Sequence, residues 1–271
     1  MSGSAFAYAN HSATTMSISS TSGSDFDYRL NDAITGGQIK GTSYYGMGSW
    51  SAGPNKIVAA SAFGAAGTQN AYLAVGGYTS PSQQSEKYDG NSWAASATLI
   101  TANCALAGFG TQNAMAIAGG NADTDGTELY NGAAWANGTN LPHVTAYAAA
   151  FGTQNAGVVA GGRASGADKD DTVSFNGDTY TALNDMVTAR GIFGSAGTQN
   201  SGIIAGGYQA PSPNSQNKSE EWNGTNWTEV ANIITTRRGG TGYGTQNHFI
   251  LAGGHNPGYC NHTEEWNGTS W

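Results

Sequence analysis

Short apolar runs alternate with glycine- and asparagine-rich turns along most of the chain. Runs such as NAMAIAGG and NSGIIAGG are nearly continuous in small and branched apolar residues, which is typical of strands covered on both faces. Turn signals return at roughly 8–12-residue spacing, which favours a β-meander. In one unit the pattern predicts strands at about 190–196, 201–207, 217–222 and 226–231. An Asn-Gly pair at 223–224 predicts a type I′ hairpin turn, which needs positive φ at both central residues.

The chain contains an internal repeat marked by the tetrapeptide Gly-Thr-Gln-Asn. Its copies start at Gly67, Gly110, Gly152, Gly197 and Gly244, at intervals of 43, 42, 45 and 47 residues. A Gly-Gly pair begins nine residues after each of these glycines. An aromatic residue, a turn and a second aromatic residue follow, and the second aromatics are Trp93, Trp135, Tyr180, Trp227 and Trp271. A four-stranded unit of this length, repeated radially, predicts the blade of a β-propeller.

The Gly-Gly pair that closes strand two, followed by an aromatic residue and then Trp, resembles the kelch repeat. The chain is most similar to the divergent kelch-like repeats with Gly-Thr-Gln-Asn turns that virion proteins of marine tailed phages carry. The resemblance covers about residues 43–271. The arginine that usually precedes strand one of a kelch repeat is present only as Arg190 and as Arg237 or Arg238.

Counting repeats predicts a single all-β domain over 1–271, a six-bladed kelch-like β-propeller of four-stranded antiparallel blades. The clear repeats are 51–93, 94–135, 136–180, 181–227 and 228–271. Gly36-Gly37 and Trp50 indicate a degenerate first blade within 1–50, and one more period back reaches Phe6. We therefore expect residues 3–9 to close the ring as the last outer strand, which would remove an open sheet edge. The alternative is a truncated chain whose end at Trp271 is accidental.

The repeat predicts a difference between the two ends of the blades. The turns between strands one and two and between strands three and four share one end and are nearly invariant, whereas the connections between strands two and three vary, which favours binding at their end. The residues directly after Gly-Gly would ring the mouth there: Gln38, Tyr78, Asn121, Arg163, Tyr208 and His255. Such groups stack on and hydrogen-bond a sugar or a peptide. The alternative is that they merely begin a loop.

Composition and charge narrow the function classes. The chain has 41 glycines and 10% charged residues, but its 10% aromatic residues are spread over almost the whole length, which argues against disorder. A net charge of −8 and the lack of a basic cluster argue against nucleic-acid binding. The sequence has no apolar stretch of about 18 residues, so it predicts no membrane-spanning segment. Cys104 and Cys260 lie in different repeats and predict no disulfide framework.

Metal and catalytic sites are weakly indicated. Asn121, Asp123 and Asp125 have the spacing of oxygen ligands in a calcium loop, but Gly132 stands where a bidentate glutamate is needed. Calcium is therefore a weak candidate, and we expect no other cofactor. The spacing of His255, Cys260 and His262 fits a solvated loop better than a zinc site. No Gly-x-Ser-x-Gly elbow is present, and the glutamates that recur in strand three indicate a per-blade structural or solvent-facing role, so we expect no catalytic residues.

These patterns favour a non-enzymatic binding or structural module. The phage resemblance implies a virion fibre, appendage or surface protein, virion-bound or extracellular, that contacts a host surface glycan or neighbouring virion subunits. We expect a homo-oligomer with other assembly proteins as partners, and neither nucleic acid nor membrane. The alternatives are a pure oligomeric scaffold or protein-interaction propeller without its own ligand and, less favoured, a sugar-acting enzyme.

Overall fold

The computed structural model describes residues 52–78, 82–121, 124–210 and 215–271, which form strands and connecting turns. The first three sheets, blades 1 to 3, are β1 (Gly64–Thr68), β2 (Ala71–Val75), β3 (Ser85–Tyr88) and β4 (Trp93–Ala95); β5 (Ala107–Thr111), β6 (Ala114–Ala118), β7 (Thr127–Tyr130) and β8 (Trp135–Asn137); and β9 (Ala149–Thr153), β10 (Ala156–Ala164), β11 (Ala167–Phe175) and β12 (Tyr180–Ala182).

The last two sheets continue the series. Blade 4 comprises β13 (Gly194–Thr198), β14 (Ser201–Ala205), β15 (Ser219–Trp222) and β16 (Trp227–Val230), and blade 5 comprises β17 (Thr241–Thr245), β18 (His248–Ala252) and β19 (Thr263–Trp266). Strands adjacent in sequence pair antiparallel within each sheet. Each described blade contains one Gly-Thr-Gln-Asn copy in the turn between its first two strands, so the sequence repeat and the structural repeat coincide.

The first strands of the five blades lie side by side around a common cavity. The first strand of each blade from 1 to 4 contacts that of the next, and a cavity of about 160 Å³ is lined by residues of all five, including Gly67, Gly110, Gly152, Gly197 and Gly244. Four-stranded antiparallel sheets arranged with their first strands about a central channel define a β-propeller. The predicted all-β class and blade type are therefore confirmed.

The described residues form five blades, not the predicted six. The count of six added a unit that has a Gly-Gly pair and Trp50 but no Gly-Thr-Gln-Asn tetrapeptide, and each described blade has that tetrapeptide. The degenerate unit within 1–50 and the closing strand 3–9 lie outside the described residues. The described part of blade 5 has three strands, and its fourth was expected from residues 3–9.

Neighbouring blades pack face to face through apolar side chains. Successive side chains of a strand point to opposite faces, so one face of β2 presents Leu73 and Val75 to Met115 and Ile117 of blade 2. The same alternation builds cores between blades 2 and 3, 3 and 4, and 4 and 5. Strand two of blades 2, 3 and 4 is thus buried on both sides, as its continuous apolar sequence predicted.

The face of blade 5 that lies away from blade 4 is exposed. Tyr243 and Ile250 on this face are 54% and 37% exposed, whereas Phe151 and Val158 at the corresponding positions of blade 3 are 4% and 0% exposed. The difference follows from packing, since blade 3 is covered there by blade 4. Among the described residues no hydrophobic core covers this apolar face of blade 5.

The Asn-Gly turns differ from the predicted type I′ geometry. Trp222 pairs with Trp227 across a four-residue loop, and Gly224 has a positive φ (89°), whereas Asn223 does not. The Asn223 side-chain oxygen instead accepts hydrogen bonds from the backbone N–H groups of Thr225 and Asn226, at 2.9 and 2.8 Å. The asparagine is selected here as a local acceptor, which a two-residue turn assignment did not anticipate.

The first strand of this unit also starts later than predicted. It begins at Gly194 instead of near residue 190, because Arg190 is buried in the connection before the strand and Ile192 has a positive φ of 59°. A residue in the left-handed region cannot continue a strand. The other three strands lie within or near the predicted ranges.

The two aromatic residues of each repeat stack across the last hairpin of the blade. Their ring centroids lie 4.6–5.6 Å apart in the pairs Tyr88–Trp93, Tyr130–Trp135, Phe175–Tyr180, Trp222–Trp227 and Trp266–Trp271. The second aromatic also bonds to the preceding blade: the Trp135 indole N–H donates to the Ala97 carbonyl at 3.0 Å, and the hydroxyls of Tyr180 and Thr127 share a hydrogen bond of 2.9 Å.

The burial of Tyr180 predicts a titration at unusually high pH. Desolvation raises the pKa of its phenol from 10.0 to about 12 despite the hydrogen bond with Thr127. Because the folded state holds this proton more tightly than the unfolded state, the associated stability is complete below pH 10 and is lost as the pH rises toward 12. An ultraviolet titration of tyrosinate absorbance should show a component near pH 12 that Tyr180→Phe removes. If the component that Tyr180→Phe removes is centred at pH 10, the burial of this phenol is contradicted.

Candidate binding face

At the end of the blades that carries the Gly-Thr-Gln-Asn turns, these turns hold neighbouring blades together. The glutamine side chain of the turn reaches the preceding blade: Gln112 donates to the carbonyls of Tyr72 and Tyr88 at 3.2 and 2.7 Å, and Gln154 donates to those of Met115 and Tyr130 at 2.8 and 2.9 Å. Gln246 repeats the contact with the Trp222 carbonyl at 3.0 Å. The repetition of this turn is therefore explained by hydrogen bonds between blades, without a ligand.

At the opposite end, which we call the variable face, the residue after each Gly-Gly pairs with the connection that enters strand one of the same blade. Backbone hydrogen bonds of 2.7–2.8 Å run from the N–H groups of the five described members to the carbonyls of Ser61, Cys104, Ala146, Gly191 and Arg238. The predicted residues Tyr78, Asn121, Arg163, Tyr208 and His255 thus occupy equivalent places in the five blades, and Gln38 lies outside the described residues.

Three of the side chains on the variable face form one stack. The Arg163 guanidinium carbon lies 4.4 Å from the ring centroid of Tyr208, and that of Arg238 lies 5.2 Å from the same centroid. Tyr208 is buried between these neighbours at 8% exposure. Each contact has the geometry of a cation–π interaction, which is worth about 0.5–1 kcal/mol at a solvent-accessible site.

The two arginines of this stack have different partners. The Nε atom of Arg163 lies 3.0 Å from a carboxylate oxygen of Asp168, and an Nη atom donates to the Gly166 carbonyl at 3.1 Å. Asp168 also accepts a hydrogen bond from the Ala210 N–H of the neighbouring blade, which ties the two loops together. Arg238 has no carboxylate partner and no side-chain hydrogen bond among the described residues.

Two further tyrosines lie on this face. Tyr78 is 59% exposed and Tyr259 is 96% exposed. Tyr259 packs edge to face against His255, with ring centroids 5.4 Å apart, and the His255 Nδ1 atom is buried without a hydrogen-bond partner in the described part of the chain. The variable face therefore combines accessible aromatic rings with unsatisfied polar groups, which is the composition of a recognition surface.

A series of backbone hydrogen bonds links equivalent residues of the five blades at the mouth of the channel, and we call these residues the ring. They are Ala62, Ala105, Tyr147, Ile192 and Gly239, each with φ between 50° and 67°. Each of the last four donates its N–H to the carbonyl of its predecessor at 2.7–3.0 Å. These residues line a cavity of about 290 Å³ at this end. Non-glycine residues in this region of φ are costly by about 1–3 kcal/mol each, so the contacts between blades must hold them there.

Tyr147 of this ring connects Tyr78 with the arginine stack. Desolvation first, and then proximity to Cys104 and Tyr78, raise the pKa of Tyr147 above its usual 10.0, while Arg163 acts in the opposite direction. Sequence reasoning placed Asp168 in a variable connection but missed Tyr147 and Arg238 as residues of the variable face. Tyr147 and Arg238 precede strand one of their blades, far from the Gly-Gly signal that located the other members.

The structure describes two of the three candidate calcium ligands. Asp123 lies outside the described residues, while Asn121 bonds through its N–H to the Asn103 side-chain oxygen and Asp125 accepts a hydrogen bond from Asn140 at 3.2 Å. Among the described residues no group of three or more His, Cys, Asp and Glu side chains could hold a metal ion. The Cys260 thiol donates to the Gly253 carbonyl at 3.4 Å, within its own loop.

The recurrent glutamates of strand three are structural, not solvent-facing. Glu86, Glu128, Glu220 and Glu264 are 0–8% exposed. Each accepts backbone N–H bonds from the connection before strand one, as Glu128 does from Ile100 and Thr101 at 2.8 and 2.9 Å. Of the two predicted meanings of this recurrence, the structural one is confirmed.

Fold and site together place the described chain in the class of β-propellers with one structural end and one variable end. Comparison of the chain with models of known protein families and with curated proteins gives no match. Within the described residues no helix is long and apolar enough to cross a membrane.

Proposed function

We propose that this chain is a non-enzymatic binding module that recognises a glycan with its variable face. The observation that carries the proposal is the arrangement there: Tyr208 lies under two arginines, and Tyr78 and Tyr259 present accessible rings at the same end of the blades. Aromatic faces stack on sugar rings and guanidinium groups hydrogen-bond to their oxygens. The kelch-like repeat and the Gly-Thr-Gln-Asn turns support placing the module on a phage virion, as a fibre, appendage or surface protein that contacts the host.

Removing the side chains of Tyr78, Arg163 and Tyr208 together should abolish glycan binding. The triple alanine variant loses both stacking surface and hydrogen-bond donors, whereas Tyr243→Ala removes a tyrosine of similar exposure from the cavity at the opposite end. Binding to a glycan array and to surface-immobilised hits should be lost in the first variant and kept in the second. Unchanged binding by a folded triple variant would reject this face.

An oligomeric scaffold without its own ligand is the second candidate, and the exposed face of blade 5 favours it. Tyr243 and Ile250 place apolar surface where other blades pack on a neighbour. On this account a second copy of the chain covers that face. Tyr243→Ala would then change the mass measured by sedimentation, and no glycan on the array would bind the wild-type chain.

A further inference from the structure

We infer that the glycan carries an acidic group, a carboxylate or a sulfate, and that Arg238 binds it. This inference rests on the proposed function and specifies its ligand class. It begins from charge: the chain has 10 basic residues against 18 acidic ones, yet two of the basic residues lie over one ring at the mouth of the channel.

The two arginines divide the roles of support and recognition. Arg163 is held by Asp168 and by the Gly166 carbonyl, so its charge is largely compensated and its position is fixed. Arg238 is half-buried against Tyr208, and its guanidinium has neither a carboxylate nor a hydrogen-bond acceptor among the described residues. Two other arginines, which are fully buried, have carboxylate partners: Arg190 pairs with Glu220 and Arg237 with Glu264.

A half-buried guanidinium without an acceptor is a site for an anion. Arginine presents several N–H donors in a planar fork that matches carboxylate and sulfate oxygens. Arg238 also pairs through its backbone with His255, its N–H and carbonyl both bonded to that residue at 3.2 and 2.8 Å. The backbone of Arg238 is therefore fixed, and ligand binding orders only its side chain.

Accessible aromatic rings favour an acidic glycan over an acidic peptide. Tyr78 and Tyr259 offer accessible rings at the same end of the blades as the charged stack, and a polysaccharide can place successive sugar rings on them while its acidic substituent reaches Arg238. An acidic peptide without rings, such as poly-L-glutamate, would use Arg238 alone and would gain little from the tyrosines. This difference separates the two ligand classes by experiment.

Binding should be measured to dextran, carboxymethyl dextran and dextran sulfate, which share one backbone, and to neutral agarose and sulfated κ-carrageenan oligosaccharides. We expect the acidic member of at least one set to bind about tenfold or more tightly than its neutral member, with the preference falling as salt rises. Arg238→Gln should reduce that preference to about the neutral level, and Arg238→Lys should keep part of it.

A charge-matched control is available at the opposite end of the blades. Lys87 donates to Asn113 and to the Gly132 carbonyl at 3.0 and 2.9 Å, among the structural turns. Lys87→Gln removes the same charge as Arg238→Gln but should leave the preference for acidic glycans unchanged. Thermal unfolding of both variants checks that they fold.

Three outcomes would overturn the inference. Equal binding of neutral and acidic glycans would show that the site does not recognise an acidic group, but it would leave the proposed function standing. If Arg238→Gln keeps the preference for acidic glycans, Arg238 does not bind the acidic group. Equally tight binding of poly-L-glutamate that also depends on Arg238 would show a general anion or peptide site. The absence of any glycan binding would instead refute the proposed function itself.

Discussion

Replacing Arg190 by threonine is expected to lower the free energy of unfolding by about 3–5 kcal/mol, the usual effect of removing one partner of a buried ion pair. Arg190 and Glu220 are both fully buried and form an ion pair. The arginine Nε also donates to the Gly206 carbonyl at 3.1 Å. Burial lowers the pKa of Arg190, although the Glu220 charge opposes the shift. Without the arginine, the Glu220 carboxylate would stay buried with no cation.

The chain contains its own control for this experiment. At the positions corresponding to Arg190 and Glu220, blade 3 has Thr145 and Val173, both buried, and the Thr145 hydroxyl donates to the Gly161 carbonyl at 3.0 Å. A blade of this fold can therefore be built without the ion pair. We expect the double variant Arg190→Thr with Glu220→Val to recover most of the lost stability in urea unfolding. A single variant that costs less than about 1 kcal/mol would contradict the role of the pair.

Gly119→Ala is expected to destabilise the protein by at least about 3 kcal/mol, a size reserved for steric clashes and similar disruptions of the core. Gly119 has a φ of 65°, and a Cβ there would lie 2.3 Å from the Thr145 carbonyl oxygen of the next blade. That oxygen accepts the Gly120 N–H at 2.8 Å, so it cannot retreat without breaking a bond between blades. The first glycine of the pair is required by both conformation and space.

Gly253→Ala separates these two causes. Gly253 is the equivalent first glycine of blade 5, with a φ of 67°, but among the described residues the nearest atom to its Cβ position is the Cys260 carbonyl oxygen at 3.8 Å. Within this part of the chain only the conformational cost remains, about 1–2 kcal/mol for an alanine in the left-handed region. Chemical denaturation of both variants measures the difference. Equal losses of stability would mean that the approach of the next blade contributes nothing.

The sequence predicted those features that recur in every repeat. The Gly-Gly pair, the aromatic pair and the apolar second strand each recur because every blade packs against its neighbours in the same way. Their spacing therefore identified the propeller. The blade count failed because spacing alone was extended to a segment without the tetrapeptide. The Asn-Gly turn was misassigned because a local hydrogen bond to Asn223, and not positive φ at two residues, determines it.

The variable face was only partly predictable for a related reason. Tyr208 follows a recurrent signal, but its neighbour Arg238 belongs to the connection that enters the next blade and has no repeated pattern. The proximity of Tyr147 to Tyr78 likewise depends on how adjacent blades pack. Contacts between residues of different blades arise from the packing of the sheets, which a one-dimensional repeat does not specify.

Amide hydrogen exchange with and without a bound acidic glycan tests most directly whether the ligand-binding residues and the structural turns lie at opposite ends of the blades. Our account predicts that the ligand slows exchange in the segments around Arg163, Tyr208, Arg238 and His255, and leaves the Gly-Thr-Gln-Asn turns at 110–113 and 152–155 unchanged. Protection confined to those turns, or to the exposed face of blade 5, would contradict it.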